Sequence, residues 1–292
     1  MTSPFTRRSS VDFSDIKATV SPFAVRPGEK IECVLKERKY GYIDKYTITE
    51  NEKLVLRCVN FLSLATSKQV FSLLSNYPIT HDEIHKILTK FYNGGYLRKL
   101  EFVSDLGKSS YKVYTLCGGR GSILYQSVFE QRPSKTTLIE MLTDVADFKR
   151  ILACNQFMCQ IEGLKKTQIP SHFQVFTLKR FLQKPLLLRT GGYIETNTGC
   201  VFIEGVRRED NYAEKFKERL SRYERIILNY KKLDSIFDSY VPSMPSLLII
   251  AEDKAQQDEI MQLCKKSKLA HNTLFTHDMA LVGPLETAFK TL

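Results

Sequence analysis

No run of apolar residues in this 292-residue sequence reaches the roughly 20 positions that a bilayer-spanning helix needs. Binding to an anionic membrane surface would call instead for a basic amphipathic helix with a strong apolar face. Thr6-Arg7-Arg8 near the start is not followed by the apolar core of a secretory signal. The seven cysteines, at 33, 58, 117, 154, 159, 200 and 264, are an odd number with no paired C-x-x-C, which argues against a zinc site and against a disulfide framework. Cys58 and Cys159 lie in apolar segments and read as reduced core thiols of a cytoplasmic protein. The chain has no phosphate-loop spacing, no dinucleotide fingerprint and no G-x-S-x-G. Internal repeats and low-complexity tracts are also lacking.

What is present is positive charge. The formal net charge is +11, the pI is near 9.2, and 43% of residues are hydrophobic. Such a surface attracts a phosphate backbone by counterion release, whatever the base sequence, so double-stranded DNA is the expected partner. The length suits two domains with separate cores.

Residues 1–44 are broken by Pro4, Pro22, Pro27 and Gly28 and read as an N-terminal arm, with a possible strand at 31–35. From residue 47 three helix starts follow in succession, each with a Thr three positions before Glu or Gln: Thr49 with Glu52, Thr66 with Gln69, and Thr80 with Glu83. Behind each runs an apolar stripe at helical spacing, such as Ile84, Ile87, Leu88 and Phe91 in the third. Gly94-Gly95 then stops the helix, residues 96–103 alternate as a strand, and a polar turn leads to a second strand at 111–116. Three short helices and a hairpin give a winged helix-turn-helix domain, bounded here at 45–132. A helix through Ile123 and Phe129 ends near Arg132-Pro133.

Residues 133–292 predict a mixed α/β domain. One or two helices span 136–161, strands are expected at 173–176 and 184–188, and a hairpin joins 193–195 to 200–206. A charged helix over 212–233 carries Lys215, Lys217, Arg219, Arg222, Arg225, Lys231 and Lys232 against Glu214, Glu218 and Glu224. Several of these are spaced to pair with one another on a solvated face. The run Leu247-Leu248-Ile249-Ile250-Ala251 is of buried-strand type, followed by a helix from 254 and a strand at 273–275.

In a winged helix the third helix enters the major groove. Its outer face offers Thr80, His81, His85, Lys86, Thr89 and Lys90. The hairpin adds Arg98, Lys99, Lys108, Ser109 and Lys112 for the neighbouring backbone. The competing reading is a solvated face of a protein-interaction module. His81 and His85 stand at i,i+4 but lack a third ligand, so no metal site is assigned to them. Arg207, Arg208 and Arg222 are candidates for a secondary DNA contact.

The helix-turn-helix with Gly94-Gly95-Tyr96-Leu97-Arg98-Lys99, the strand Tyr114-Thr115-Leu116, Gly119-Arg120-Gly121, Arg189-Thr190-Gly191-Gly192-Tyr193, Phe202-Ile203-Glu204 and the helix over 215–230 resemble the replication-relaxation family of Gram-positive plasmids and integrative elements. The resemblance covers about residues 46–268. It implies a winged helix joined to a degenerate PD-(D/E)xK, restriction-endonuclease-like domain, and hence a DNA-binding protein of a mobile genetic element. Its role would be accessory to plasmid replication, conjugative transfer or transcriptional control, beside a relaxase or replication protein. A nuclease of that type needs two carboxylates for Mg²⁺ and a Lys near the attacking water. Glu204 stands where the E of E-x-K falls, but Val206 occupies the Lys position and Thr190-Gly191 the place of Pro-Asp. Glu195 is a remote substitute for the Asp, and Arg207 or Arg208 for the Lys. The expectation is therefore no catalysis and no cofactor, with Glu204 a structural carboxylate paired to a nearby cation. The alternatives are a Mg²⁺-dependent nuclease or nickase using Glu204, Glu195 and Arg207, and a protein-protein adaptor.

Overall fold

The computed structural model describes residues 21–34, 48–108, 111–133, 144–164, 175–179, 192–196, 199–230, 243–282 and 288–291. It is a mixed α+β chain that divides into two compact units, one of residues 26–148 and one combining residues up to 25 with those from 149 onward. The boundaries thus depart from the sequence expectation at 44/45 and 132/133. The strand expected at 184–188, Thr190-Gly191, Ser109 and the start of the helix expected from 136 lie outside the described residues.

The first unit begins with β1 (Lys30–Val34), the possible strand of the arm, which pairs into a sheet. There follow α1 (Glu50–Leu62), the two-residue β2 (Ala65–Thr66), α2 (Ser67–Leu73), α3 (His81–Asn93), β3 (Leu97–Ser104), β4 (Gly107–Lys108), β5 (Val113–Leu116) and α4 (Arg120–Phe129). The sheet order is β1-β3-β5-β2, with β4 paired to β3 and every pairing antiparallel. The Thr49 and Thr66 hydroxyls each accept from the backbone N–H three residues on, and Glu52 and Gln69 reach back to complete both capping boxes. Each such cap contributes about 1 kcal/mol. Thr80 caps α3 in the same way, but the third box is left open: Glu83 accepts from Asn51 Nδ2 of α1 at 2.6 Å and so ties two helices together. Val55, Val59, Val70, Ile84, Leu88 and Phe91 form the buried seam between the three helices, against Leu100 and Phe102 of β3.

The second unit contains α5 (Val145–Leu164, which starts in the last residues of the first), β6 (Val175–Lys179), β7 (Gly192–Thr196), β8 (Gly199–Gly205), α6 (Tyr212–Ile227), β9 (Ser246–Ala251), α7 (Lys254–Cys264) and β10 (Thr273–His277). Its sheet runs β10-β9-β8-β7-β6. The β6-β7 and β7-β8 pairs are antiparallel, and β8-β9 and β9-β10 are parallel. Phe202, Leu247, Ile249 and Phe275 from these strands share a core with Phe216, Leu220 and Tyr223 of α6 and Ile260 of α7. Cys58 and Cys159 are buried and in no disulfide, as their apolar setting predicts. Among the described residues no helix is long and apolar enough to cross a membrane.

Candidate nucleic-acid interface

α3 is held at both ends. At its C-terminus Gly94 is the cap and Gly95 adopts φ 73°, a left-handed conformation that glycine takes without a Cβ clash. The Tyr96 N–H reaches the Phe91 carbonyl at 2.9 Å and the Gly95 N–H that of Tyr92 at 3.0 Å, the two bonds of a Schellman motif. The Phe91 and Tyr96 rings meet edge to face across the motif at 6.3 Å. The turn therefore delivers the chain directly into β3. The end of the hairpin is pinned as well: Gly121 of α4 sits so close to the Tyr96 carbonyl that a Cβ there would lie 2.2 Å from its oxygen.

The apolar stripe faces inward, so the opposite face of α3 looks outward. His85 and Lys86 are exposed and enter no ion pair among the described residues. The remaining expected contacts are more committed. The Thr80 hydroxyl is used as the cap acceptor of Glu83 N–H at 3.2 Å. His81 is half-buried, with Nε2 3.2 Å from the Ser67 hydroxyl and its ring edge-on to Phe71 at 5.7 Å. Burial, and then the nearby Lys68, hold its pKa below the usual histidine value, which disfavours the charged ring. Thr89 is half-buried and shares a hydrogen bond with the buried Tyr114 phenol. Lys90 donates to Glu52 at 2.7 Å, and Glu52 is almost fully buried. Sequence reading could not foresee that pairing, because the two residues lie on different helices.

The hairpin departs further from expectation. Neighbouring residues of a strand point to opposite faces. Arg98 therefore falls on the side of β3 that bears Leu100 and Phe102, while Lys99 falls on the other with Glu101 and Val103. The two cannot serve one surface. Lys99 pairs with Glu101 at 3.0 Å and lies 5.1 Å from the Tyr92 ring centroid. Lys108 pairs with Glu101 at 3.2 Å and with Glu32 of β1 at 3.5 Å. These contacts lower the Glu101 pKa and raise that of Lys108. Lys112 is exposed without such a partner. Of the expected DNA contacts in the first unit, His85, Lys86 and Lys112 are thus the ones that are exposed and outside any ion pair among the described residues.

In the second unit Glu204, at 1% exposure, accepts from the Tyr223 hydroxyl at 2.8 Å and lies 2.9 Å from Arg219 Nε. The pairing with a nearby cation is the one the sequence suggests. Burial, and then Glu204, push the Tyr223 pKa well above its ordinary value. Glu195 is opposite Cys200 in the β7-β8 register, four positions from Glu204 on β8, a separation of roughly 13 Å along the strand. The Glu204 carboxylate is already engaged by Tyr223 and Arg219, and a Mg²⁺ there would have to displace those partners. The residues therefore do not fit that metal. Among the described residues no group of three His, Cys, Asp or Glu is arranged to hold one.

Arg207, expected on the surface or as a stand-in for the catalytic Lys, is instead fully buried at 0% exposure. Its guanidinium meets Asp278 at 3.0 Å and donates to the Val206 carbonyl at 2.7 Å. A side chain enclosed at the end of a central strand reaches neither phosphate nor water. Arg208 is half-exposed, but it is engaged by Asp253 and by Glu252 at 3.5 Å, and it holds the Asp253 pKa down. Arg222 is half-exposed beside Glu218 at 3.9 Å. Ser21, 257 positions from Asp278 in sequence, donates to that carboxylate, and the Val25 N–H reaches Glu252 at 3.3 Å. The segment 21–25 therefore closes over the carboxyl ends of β9 and β10. The chain matches no protein-family model, no curated protein and no solved structure.

Proposed function

We propose that this chain is a double-stranded DNA-binding protein whose first unit is a winged helix and whose second unit is a restriction-endonuclease-like domain that does not cleave. The observation that carries this reading is α3. It is capped by Thr80, stopped by a Schellman motif and backed by the β3-β5 hairpin, with His85 and Lys86 turned outward. A rigid helix of that kind, next to a hairpin, fits the major groove with the hairpin beside the phosphates. The order of α5, three antiparallel strands, α6 and parallel β9 supports the nuclease-like reading of the second unit. The commitment of Glu204 and Arg207 to buried pairs supports its lack of catalysis. By the resemblance of its motifs, the chain serves a mobile element as an accessory to replication, transfer or transcription.

An electrophoretic mobility shift with linear duplex tests this. The wild type retards duplex at low salt and loses it steeply as salt rises, and Lys86→Glu with Lys112→Glu abolishes the shift without lowering the melting temperature. A shift that survives the double substitution refutes the role of α3. The pairing of Lys99 and Lys108 with Glu101 favours a second reading, an adaptor that binds protein. Complete absence of a shift selects it. Supercoiled DNA with Mg²⁺ stays intact, whereas nicking lost in Glu204→Gln would restore the nuclease reading.

A further inference from the structure

We infer a second duplex-binding surface in the second unit, formed by Arg225, Lys265, Lys266 and Lys268, a group of cations distinct from Arg207, Arg208 and Arg222. This rests on the reading that the protein holds duplex DNA and deepens it by adding a second point of contact. α7 ends at Cys264, and the next four residues are Lys265-Lys266-Ser267-Lys268. All three lysines are exposed, as is Arg225 near the end of α6, and none of the four enters an ion pair among the described residues.

They are also fixed beside one another. Glu224, the neighbour of Arg225, accepts from the Ser267 hydroxyl at 2.7 Å and from the Lys268 N–H at 2.9 Å. One carboxylate on α6 therefore anchors the lysine segment through a side chain and a backbone group, and leaves the lysine ammonium groups unneutralised. Elsewhere in the unit Arg150, Arg207, Arg208, Lys215, Arg219, Arg222 and Lys254 are each matched to a carboxylate. Lys217 and Lys290 are also exposed outside any ion pair among the described residues, so what sets the four apart is their arrangement side by side.

A lysine at a helix C-terminus also complements the helix dipole. That effect fades within the last turn, and it accounts for neither Lys268, four residues beyond the helix, nor Arg225 on another helix. The segment lies before β10, and hence at the amino end of the parallel strands, the end opposite to that where Arg207 and Arg208 are closed in by Asp278, Glu252 and Asp253. Lysines suit phosphate as point charges without base readout. An anionic membrane would need an apolar face as well, and among the described residues of this unit the only exposed large hydrophobic side chain is Leu228.

The test uses the full chain, a fluorescent linear duplex and anisotropy titrations over a range of salt. The triple variant Lys265→Gln, Lys266→Gln, Lys268→Gln is compared with Lys86→Glu. The triple Glu variant provides a stronger perturbation, and the Gln form guards against loss of folding at the helix end. Loss of three phosphate contacts lowers the slope of log affinity against log salt by roughly 2–3 and weakens binding by about tenfold or more at low salt. If the triple variant keeps wild-type slope and affinity while Lys86→Glu weakens binding, the second surface is refuted and the α3 reading stands. If only the triple variant weakens binding, the second surface stands and the α3 reading fails. If the wild type binds phosphatidylserine vesicles through these lysines but no duplex, both are refuted.

Discussion

Replacing Asp278 with alanine should unfold the second unit at a much lower temperature. Asp278 is the carboxylate that faces the guanidinium of Arg207, and Arg207 has no exposed surface. Truncating one member of such a pair leaves an uncompensated buried charge, which costs about 3–5 kcal/mol. For a unit of this size that is a fall in melting temperature on the order of 10 °C at pH 7. The pair also has a pH signature. Burial raises the Asp278 pKa to about 6 against the opposing pull of Arg207 and Ser21. Its folded pKa thus exceeds its unfolded value, and the folded state takes up the proton first. Stability from this group therefore rises as pH falls from 7 towards 5 and is lost again as pH climbs through 6. Circular dichroism melts of the wild type, Asp278→Ala and Asp278→Asn at pH 7 and pH 5 measure both effects. The Asn variant keeps the shape of the side chain and lacks its titration. An alanine variant that melts with the wild type, or an Asn variant with the same pH response, would refute the buried-pair reasoning.

Other consequences concern single contacts. Gly121→Ala forces a Cβ to within 2.2 Å of the Tyr96 carbonyl oxygen, so α4 must shift, and the first unit should lose about 1–3 kcal/mol in denaturant titration. Tyr223→Phe removes the hydroxyl that donates to the buried Glu204, with an expected loss of about 1–3 kcal/mol and no change in DNA affinity. Lys90→Glu sets a second carboxylate against the nearly buried Glu52, and the melt should show destabilisation even though Lys90 itself is half-exposed. That variant confounds folding with binding in a way Lys86→Glu does not.

The helices of the first unit were legible because their signals are local. Thr49 with Glu52 and Thr66 with Gln69 form their boxes within one turn, and Gly95 takes the left-handed position that the Gly-Gly pair implies. Long-range pairing was not legible. β1 joins β3 through residues some 70 positions away, which draws the presumed arm into the sheet and brings Glu32 to Lys108. The same holds for Ser21 with Asp278. The Thr80 box misled because Glu83 had a better partner across the helix interface, in Asn51. In the second unit Glu204 was recognised as a paired carboxylate, but a run of basic residues at 207–208 gives no sign that one is buried and the other matched to Asp253. Register decides Glu195. A carboxylate four positions away in the ladder is indistinguishable in sequence from one directly opposite. The lysines at 265, 266 and 268 carry no mark in the sequence, since their separation from carboxylates depends on which neighbours fold against them.

Backbone amide exchange of the full chain, followed by mass spectrometry with and without saturating duplex, addresses the core of the proposal. Slowed exchange confined to peptides covering α3 and the hairpin after it, with a second footprint at 265–268, is the predicted result. Unchanged exchange across 81–108, with DNA demonstrably bound, would contradict it.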